Sequence, residues 1–168
     1  KMVLGLIKEF AGTWVSLDAY DKETLQPIGA TKKSVNLAAN ELSEAIGKLR
    51  EKLIDKKQAT EIFAQERGRG SVEGIVGNVM QSFGGKAVCP TVEGKAAHLL
   101  YFMVKNHPFV DGSKRSGAFA FVWFLRKTKL RGGKNINPAS LTALTLLIAE
   151  SNPKKKDQMT ALTTQLLK

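Results

Sequence analysis

The sequence predicts an all-α fold, a helical bundle with one short β-hairpin. Apolar residues recur at three- and four-residue intervals, which is the period of amphipathic helices. Leu, Ala, Lys and Glu dominate, whereas Val, Ile, Thr and aromatic residues form no convincing alternating run of the kind that half-buried strands need. Turns that contain glycine or proline separate the periodic segments, as expected between the helices of a bundle.

Helices are predicted over most of the chain after residue 34. The periodic segments are 35–56, a short 59–66, 72–80 with Ser71 as N-cap, 92–106 with Thr91 as N-cap, 112–127, 138–150 and 156–167. Pro108 should end the helix at 92–106, because proline disfavours the helical conformation of the residue before it. Residues 81–90 favour a loop or short hairpin, and residues 1–33 are expected to be irregular. We therefore divide the chain into a partly helical N-terminal region, 1–58, and a main domain, 59–168.

Composition excludes several classes of protein. The 168 residues are 43% apolar, enough for a buried core, and no apolar run reaches the roughly 20 residues that cross a bilayer. Cys89 is the single cysteine and there are two histidines, so an intrachain disulfide and a zinc site of cysteines or histidines alone are excluded. The apolar residues 2–7 are too short for a signal peptide. A cytoplasmic protein is expected, and the start at Lys1 suggests a piece of a longer chain.

The net charge of +11 is the unusual feature of the composition. A protein this basic prefers polyanions, such as nucleic acid, anionic membrane or nucleotide phosphates. Residues 61–168 carry a net charge of +9 and residues 1–60 only +2. The positive charge therefore belongs mainly to the part of the chain that contains residues 107–117.

Residues 107–117 join two strongly apolar segments and carry side chains suited to phosphate chemistry. His107 is of a type that accepts a hydroxyl proton near neutral pH, and Phe109 can anchor the turn by burying its ring. Asp111 offers a carboxylate to Mg²⁺, which prefers one or two carboxylates together with substrate phosphates. A base and a metal-binding carboxylate are thus expected side by side.

The residues that follow predict an anion site. Gly112 allows close backbone approach to a ligand, and Ser113, Lys114 and Arg115 occupy the first turn of a helix, whose free N–H groups attract anions. Arg115 adds a guanidinium fork suited to phosphate. Together with the base and the carboxylate, this pattern predicts phosphoryl or nucleotidyl transfer. An ordinary turn with a solvated Lys-Arg face remains the alternative at this point.

The same segment resembles the signature of the Fic/Doc (Fido) family. His-Pro-Phe-x-Asp-Gly-x-Lys-Arg at 107–115 is similar to the family pattern His-x-Phe-x-(Asp/Glu)-(Gly/Ala)-Asn-(Gly/Lys)-x-Arg or a close variant of it, which lies between two core helices. The resemblance extends over about residues 60–168. It implies a Fido-type helical bundle with a short β-hairpin flap beside the active-site loop.

The resemblance also implies an activity. A toxin-like bacterial adenylyltransferase would move AMP from ATP to a hydroxyl side chain of a target protein, with His107 as general base and Asp111 holding Mg²⁺. The nucleotide-binding residues would be Gly112, Ser113, Lys114 and Arg115, and Arg115 would also be catalytic. Lysine at the position of Lys114 occurs in Doc-like members, which favours phosphoryl transfer to a protein as the alternative reaction.

Residues 81–90 would form the family's flap, which pairs with an extended segment of the target by strand addition. The residues that would bind the target in this way are Phe83, Gly84, Gly85, Lys86, Ala87 and Val88. An ordinary loop is the alternative interpretation.

Two departures from the family pattern bear on activity and control. Ser113 stands where the family has Asn, so we expect weakened transfer, with a degenerate domain that only binds nucleotide or partner as the alternative. The inhibitory pattern (Ser/Thr)-x-x-x-Glu-(Gly/Asn) does not occur at any Ser or Thr of this sequence. Inhibition of the activity would then come from a separate antitoxin or from residues outside this sequence, or would be absent.

A nucleic-acid-binding module is the competing function from another class. Such a module places basic residues on one helix face with aromatic stacking partners. Here the basic residues are dispersed, and the aromatic residues at 119–124 have the spacing of a core. The expected partners are therefore a target protein with a Ser, Thr or Tyr hydroxyl and an antitoxin, with no membrane or nucleic acid.

Overall fold

The computed structural model describes residues 17–27, 31, 35–83, 86–87, 91–130 and 136–167, with the backbone alone at 82–83 and 86–87. These residues are mostly helical, as the periodicity predicts. The helices are α1 (Ala39–Asp55), α2 (Ser71–Val79), α3 (Val92–Lys105), α4 (Ser113–Lys127), α5 (Pro138–Glu150) and α6 (Lys156–Gln165). A helical turn also lies at 17–21, so the prediction that residues 1–33 are irregular is wrong for this segment. A 3₁₀ turn, Pro153–Lys155, precedes α6.

Strand structure in the described ranges is brief. Strand β1 (Ser82–Phe83) pairs antiparallel with β2 (Lys86–Ala87), with Ser82 opposite Ala87 and Phe83 opposite Lys86. Residues 84–85 and 88–90 lie outside the described residues. The pairing falls where the sequence predicts a hairpin, and its role as a flap stays a prediction.

Helix α3 is the centre of the fold. It packs against α2, α4, α5 and α6, and its most extensive contact is with α4. Leu99, Leu100, Met103 and Val104 on α3 are all fully buried, because its sequence is apolar on almost every face. The loop between α3 and α4 is therefore fixed at both ends by the core.

One apolar core joins the two predicted regions of the chain. Leu37 before α1 and Leu42 and Ile46 on α1 lie in the same buried cluster as Phe121 and Phe124 of α4. The division at residue 58 stays a prediction. None of the helices in the described ranges is long and apolar enough to span a membrane.

Helix ends follow the predictions at α3 but not at α2. Thr91 caps α3 by accepting the N–H of Gly94 at 2.9 Å. Ser71, predicted as the N-cap of α2, is instead the first residue of that helix. The Glu66 carboxylate accepts the N–H of Val72 at 2.8 Å, so the Ser71 hydroxyl is not needed there and donates to the chain before the helix.

We predict a pH-dependent contribution of His98, on α3, to stability. Burial lowers the pKa of His98 below the usual 6.5, and Lys156 adds to this effect, against opposing contributions from the Gly94 carbonyl and Asp157. Because the unfolded chain binds this proton more readily, the free energy of unfolding should fall as pH drops below about 6.5. Thermal unfolding between pH 7.5 and 5 should therefore show a steeper loss in the wild type than in His98→Gln. Equal slopes would contradict this account.

Candidate functional site

The loop between α3 and α4 and the first turn of α4 line a cavity of about 330 Å³, within the range of small-ligand pockets. The lining residues are Arg67, His107, Phe109, Val110, Asp111, Gly112, Ser113, Lys114 and Arg115. The structure thus brings together every residue predicted for catalysis and for nucleotide or metal binding. Of the flap residues, Phe83, Lys86 and Ala87 are described by their backbone alone, and Gly84, Gly85 and Val88 lie outside the described residues.

His107 leaves α3 in an unfavourable backbone conformation. Helix α3 ends at its C-cap, Asn106, and His107 follows with φ 47°, in the left-handed region. Many helices end in this conformation, usually at a glycine. For any other residue it is less stable by about 1–2 kcal/mol of free energy. Pro108 ends the helix as predicted, but through a left-handed turn rather than an extended one. Lys57 and Lys129 have a similar positive φ two residues after α1 and α4, so this conformation is a way of ending helices in this fold. The evidence for a function of His107 is that it is exposed and lines the cavity.

Residues 61–67, which we call the clasp, hold this loop from a distant part of the sequence. Three backbone hydrogen bonds join the two segments: from Ala64 to Asp111 (3.0 Å), from Val110 to Gln65 (2.8 Å) and from Arg67 to Pro108 (2.9 Å). Arg50 on α1 donates to the Phe63 carbonyl at 2.9 Å and so ties the clasp to the bundle. The short helix predicted at 59–66 is therefore wrong, because the Ala64 N–H and the Gln65 carbonyl pair with the loop and only isolated turn bonds remain within the segment.

Phe63 of the clasp lies beneath the turn into α4. Its ring is fully buried, and a Cβ built on Gly112 would lie 2.3 Å from its Cε2 atom. Gly112 also has φ 80°, so glycine is favoured there for two independent reasons. The guanidinium carbon of Arg115 lies 4.6 Å from the centre of the same ring, a cation–π distance. One buried ring thus shapes the turn and supports a cation beside the cavity.

The first turn of α4 presents backbone donors to the cavity. Gly112 is its N-cap and supplies no side-chain cap, and the first helical hydrogen bond runs from Ser116 to Gly112 at 2.8 Å. The N–H groups of the three residues between them therefore lack acceptors within the helix. Lys114 and Arg115 in this turn are exposed. Free amides, the positive end of the helix dipole and two cations together fit an anion.

Asp111 and Arg115 form an ion pair at the cavity, with 3.1 Å between carboxylate and guanidinium atoms. Their side chains are 43% and 52% exposed, and pairs this exposed contribute only about 0.2–1 kcal/mol. The described residues contain no group of three or more metal-ligand side chains. A single accessible carboxylate beside an anion site fits Mg²⁺ in the form that shares its coordination with substrate phosphates.

The hydroxyl of Ser113 is used inside the loop. Ser113 is only 7% exposed, and its Oγ lies 3.3 Å from the amide nitrogen and 3.4 Å from the carbonyl oxygen of Phe109. Phe109 is itself buried, as predicted for an anchor. The Ser113 side chain therefore ties the start of α4 to the loop, and what it can offer an anion is its backbone N–H.

Sequence reasoning missed the clasp, and with it Phe63 and Arg67. Arg67 donates from Nε to the Phe109 carbonyl at 3.1 Å and lines the cavity. In the sequence, Arg67-Gly68-Arg69-Gly70 is one of the glycine-containing turns that separate the periodic segments. No periodicity relates residue 67 to a loop 40 positions later, and a basic residue beside glycine was the single available signal.

Comparison with known families gives one match. The model of the Fic/DOC family matches residues 36–125, which is more than half of the chain. The matched part includes α1, the clasp, α2, both strands, α3, the loop and all but the last two residues of α4. No curated protein matches the chain.

We predict that Gly112→Ala is much more destabilising than Gly70→Ala. Both glycines have φ near 80°, so alanine incurs the left-handed cost of about 1 kcal/mol at each. At Gly70 the nearest atom to a new Cβ is 3.7 Å away, whereas at Gly112 the Cβ overlaps Phe63. We expect a further loss of about 2 kcal/mol or more for Gly112→Ala, measured by urea unfolding. Similar losses for both variants would contradict the close approach of Phe63.

Proposed function

Because the chain belongs to the Fic/DOC family, we propose that it moves AMP from ATP to a Ser, Thr or Tyr hydroxyl of a target protein. The family is known for AMPylation-type transfer. The observation that carries the proposal is that His107, Asp111 and the uncapped first turn of α4 all line the same cavity. A base, a carboxylate and an anion site in one cavity are the groups that nucleotidyl transfer to a hydroxyl requires.

In the proposed step, the target hydroxyl oxygen attacks the α-phosphorus of ATP and gives its proton to His107. The new bond joins that oxygen to the α-phosphorus, the bond from the α-phosphorus to the β-bridging oxygen breaks, and pyrophosphate leaves. The free amides of the first turn of α4 stabilise negative charge on the phosphates. His107 is exposed, so a hydroxyl on a separate protein can reach it.

Asp111 would hold Mg²⁺ in this reaction, and the metal when bound neutralises charge on the phosphates. For this, the ion pair between Asp111 and Arg115 would open. The carboxylate would then bind the metal, and the guanidinium would bind a phosphate oxygen. The exchange costs little, because an exposed ion pair contributes so weakly to stability.

We propose in addition that β1 and β2 act as the flap. A strand at the edge of a small antiparallel ribbon presents unpaired N–H and C=O groups that can accept an extended segment of another chain. The antiparallel pairing of residues 82–83 with 86–87 supports this role. The target would then be recognised through its backbone and positioned with its hydroxyl at the cavity.

Lys114 favours a second candidate, phosphoryl transfer. It is exposed and lines the cavity beside Arg115. Lysine at this position is a point of resemblance to Doc-like members, which bind the nucleotide in the reverse sense. The hydroxyl would then attack the γ-phosphorus, the bond to the β–γ bridging oxygen would break, and ADP would leave.

Labelled ATP distinguishes these reactions. The purified protein is incubated with Mg²⁺, a cell lysate and ATP labelled either at the α- or at the γ-phosphate, and labelled proteins are separated by electrophoresis. We expect that label which depends on the added protein comes from α-labelled ATP alone. Protein-dependent label from γ-labelled ATP alone, above the labelling by kinases in a lysate without the protein, would establish phosphoryl transfer instead. His107→Ala should lower labelling by about a hundredfold or more, through loss of the general base. His98→Gln, a change at the other histidine, which does not line the cavity, should label like the wild type. Absence of protein-dependent label from both nucleotides would contradict transferase function.

We also predict that Ser113→Asn raises the rate of labelling. The Ser113 hydroxyl is directed to Phe109, so an amide side chain there would add a donor at the anion site. One hydrogen bond to a charged group corresponds to about a tenfold faster transfer. The rate of α-label incorporation measures this, with thermal unfolding as the check that the variant is folded. A folded variant with an unchanged or slower rate would show that the serine does not limit activity.

A further inference from the structure

Arg67 lines the cavity from the clasp, and the function proposed above assigns it no role. It comes from a part of the chain 40 residues before the loop, whereas the other cations at the cavity, Lys114 and Arg115, belong to α4. The residue is exposed. A third cation at the same cavity therefore needs an explanation.

The stem of Arg67 is fixed in place. Its backbone N–H donates to the Pro108 carbonyl at 2.9 Å, and its Nε donates to the Phe109 carbonyl at 3.1 Å. A guanidinium has five N–H donors, so the Nε bond leaves the four donors of the two terminal nitrogens. The side chain is thus held at the loop while most of its donors stay available.

No ion pair in the described part of the chain satisfies the Arg67 charge. The acidic side chains on either side of it have other partners. The Asp111 carboxylate pairs with Arg115, and the Glu66 carboxylate accepts the N–H of Val72 at 2.8 Å. A pre-positioned guanidinium without a carboxylate partner, at a cavity with an uncapped helix start, is suited to bind an external oxyanion.

We propose that Arg67 binds a phosphate group of the nucleotide from the clasp side of the cavity, while Arg115 binds from the α4 side. This inference rests on the proposed function, because it concerns the same nucleotide. A planar fork matches phosphate in two parallel hydrogen bonds, and the Phe109 carbonyl reduces the entropy lost when the side chain binds. The Arg67 contact would hold the phosphate chain across the loop rather than only along α4.

The test uses the full chain and isothermal titration calorimetry with Mg·ATP and, separately, with adenosine. Arg67→Gln should weaken ATP binding by about tenfold and leave adenosine binding unchanged, since adenosine has no phosphate. The difference from the wild type should shrink at high salt, as a charge contact predicts. Arg69→Gln, an exposed arginine two residues away that does not line the cavity, is the matched control and should bind ATP like the wild type.

Several results would overturn the inference. An unchanged ATP affinity in Arg67→Gln would show that Arg67 does not contact phosphate, and if labelling of the target nevertheless fell, Arg67 would serve the target instead. Equal losses for ATP and adenosine, with a lower melting temperature, would show that it only clamps Phe109. If Arg67→Gln does not fold, Arg67→Lys tests the same contact, because it keeps the charge but lacks the Nε hydrogen bond. ATP affinity near that of the wild type would support the contact between the charge and phosphate. An equal loss of affinity for ATP and for adenosine would oppose it. A wild type that binds no Mg·ATP would contradict the proposed function itself.

Discussion

The pairing of the clasp with the loop between α3 and α4 is the interaction on which the candidate site depends. The loop enters a crowded region directly after a buried helix, and its backbone donors and acceptors need partners there. The clasp supplies them through hydrogen bonds at Asp111, Val110 and Pro108. The same segment inserts Phe63 under Gly112, so the direction in which α4 begins is set by a residue outside the motif. The core fixes both ends of the loop, and the clasp adds partners for its backbone between those ends.

The site contains two kinds of interaction: some hold the loop in place, and others are available to a ligand. The Ser113 hydroxyl, the buried Phe109 ring and the clasp bonds are internal to the protein and hold the loop. The Asp111–Arg115 pair and the amides at the start of α4 are accessible and contribute little to stability, so they are available to a ligand. The left-handed backbone of His107 belongs to the first group, because the packed end of α3 and the held loop compensate its cost.

The sequence predicted the helices well where the pattern is local. The predicted segments 92–106, 112–127 and 138–150 differ from α3, α4 and α5 by at most one residue at any end, because apolar periodicity and caps such as Thr91 act within a few residues. It failed at 59–66, since a short apolar pattern is the same in a helix and in a segment that pairs with a remote loop. It also predicted Ser71 as the N-cap of α2, whereas in the structure the Glu66 carboxylate, from the preceding turn, accepts the N–H of Val72.

The sequence by itself determined which chemical groups this protein can use. The order of residues at 107–115 places a base, a carboxylate and a helix start within nine positions, and this local spacing also carries the resemblance to the family that the chain belongs to. Only the tertiary structure decided how these groups are held. The ring beneath Gly112 and the presence of Arg67 at the cavity depend on contacts between segments 40 or more residues apart. Such contacts form because α3 is buried among its neighbours, and a pattern with a period of three or four residues contains no information about them.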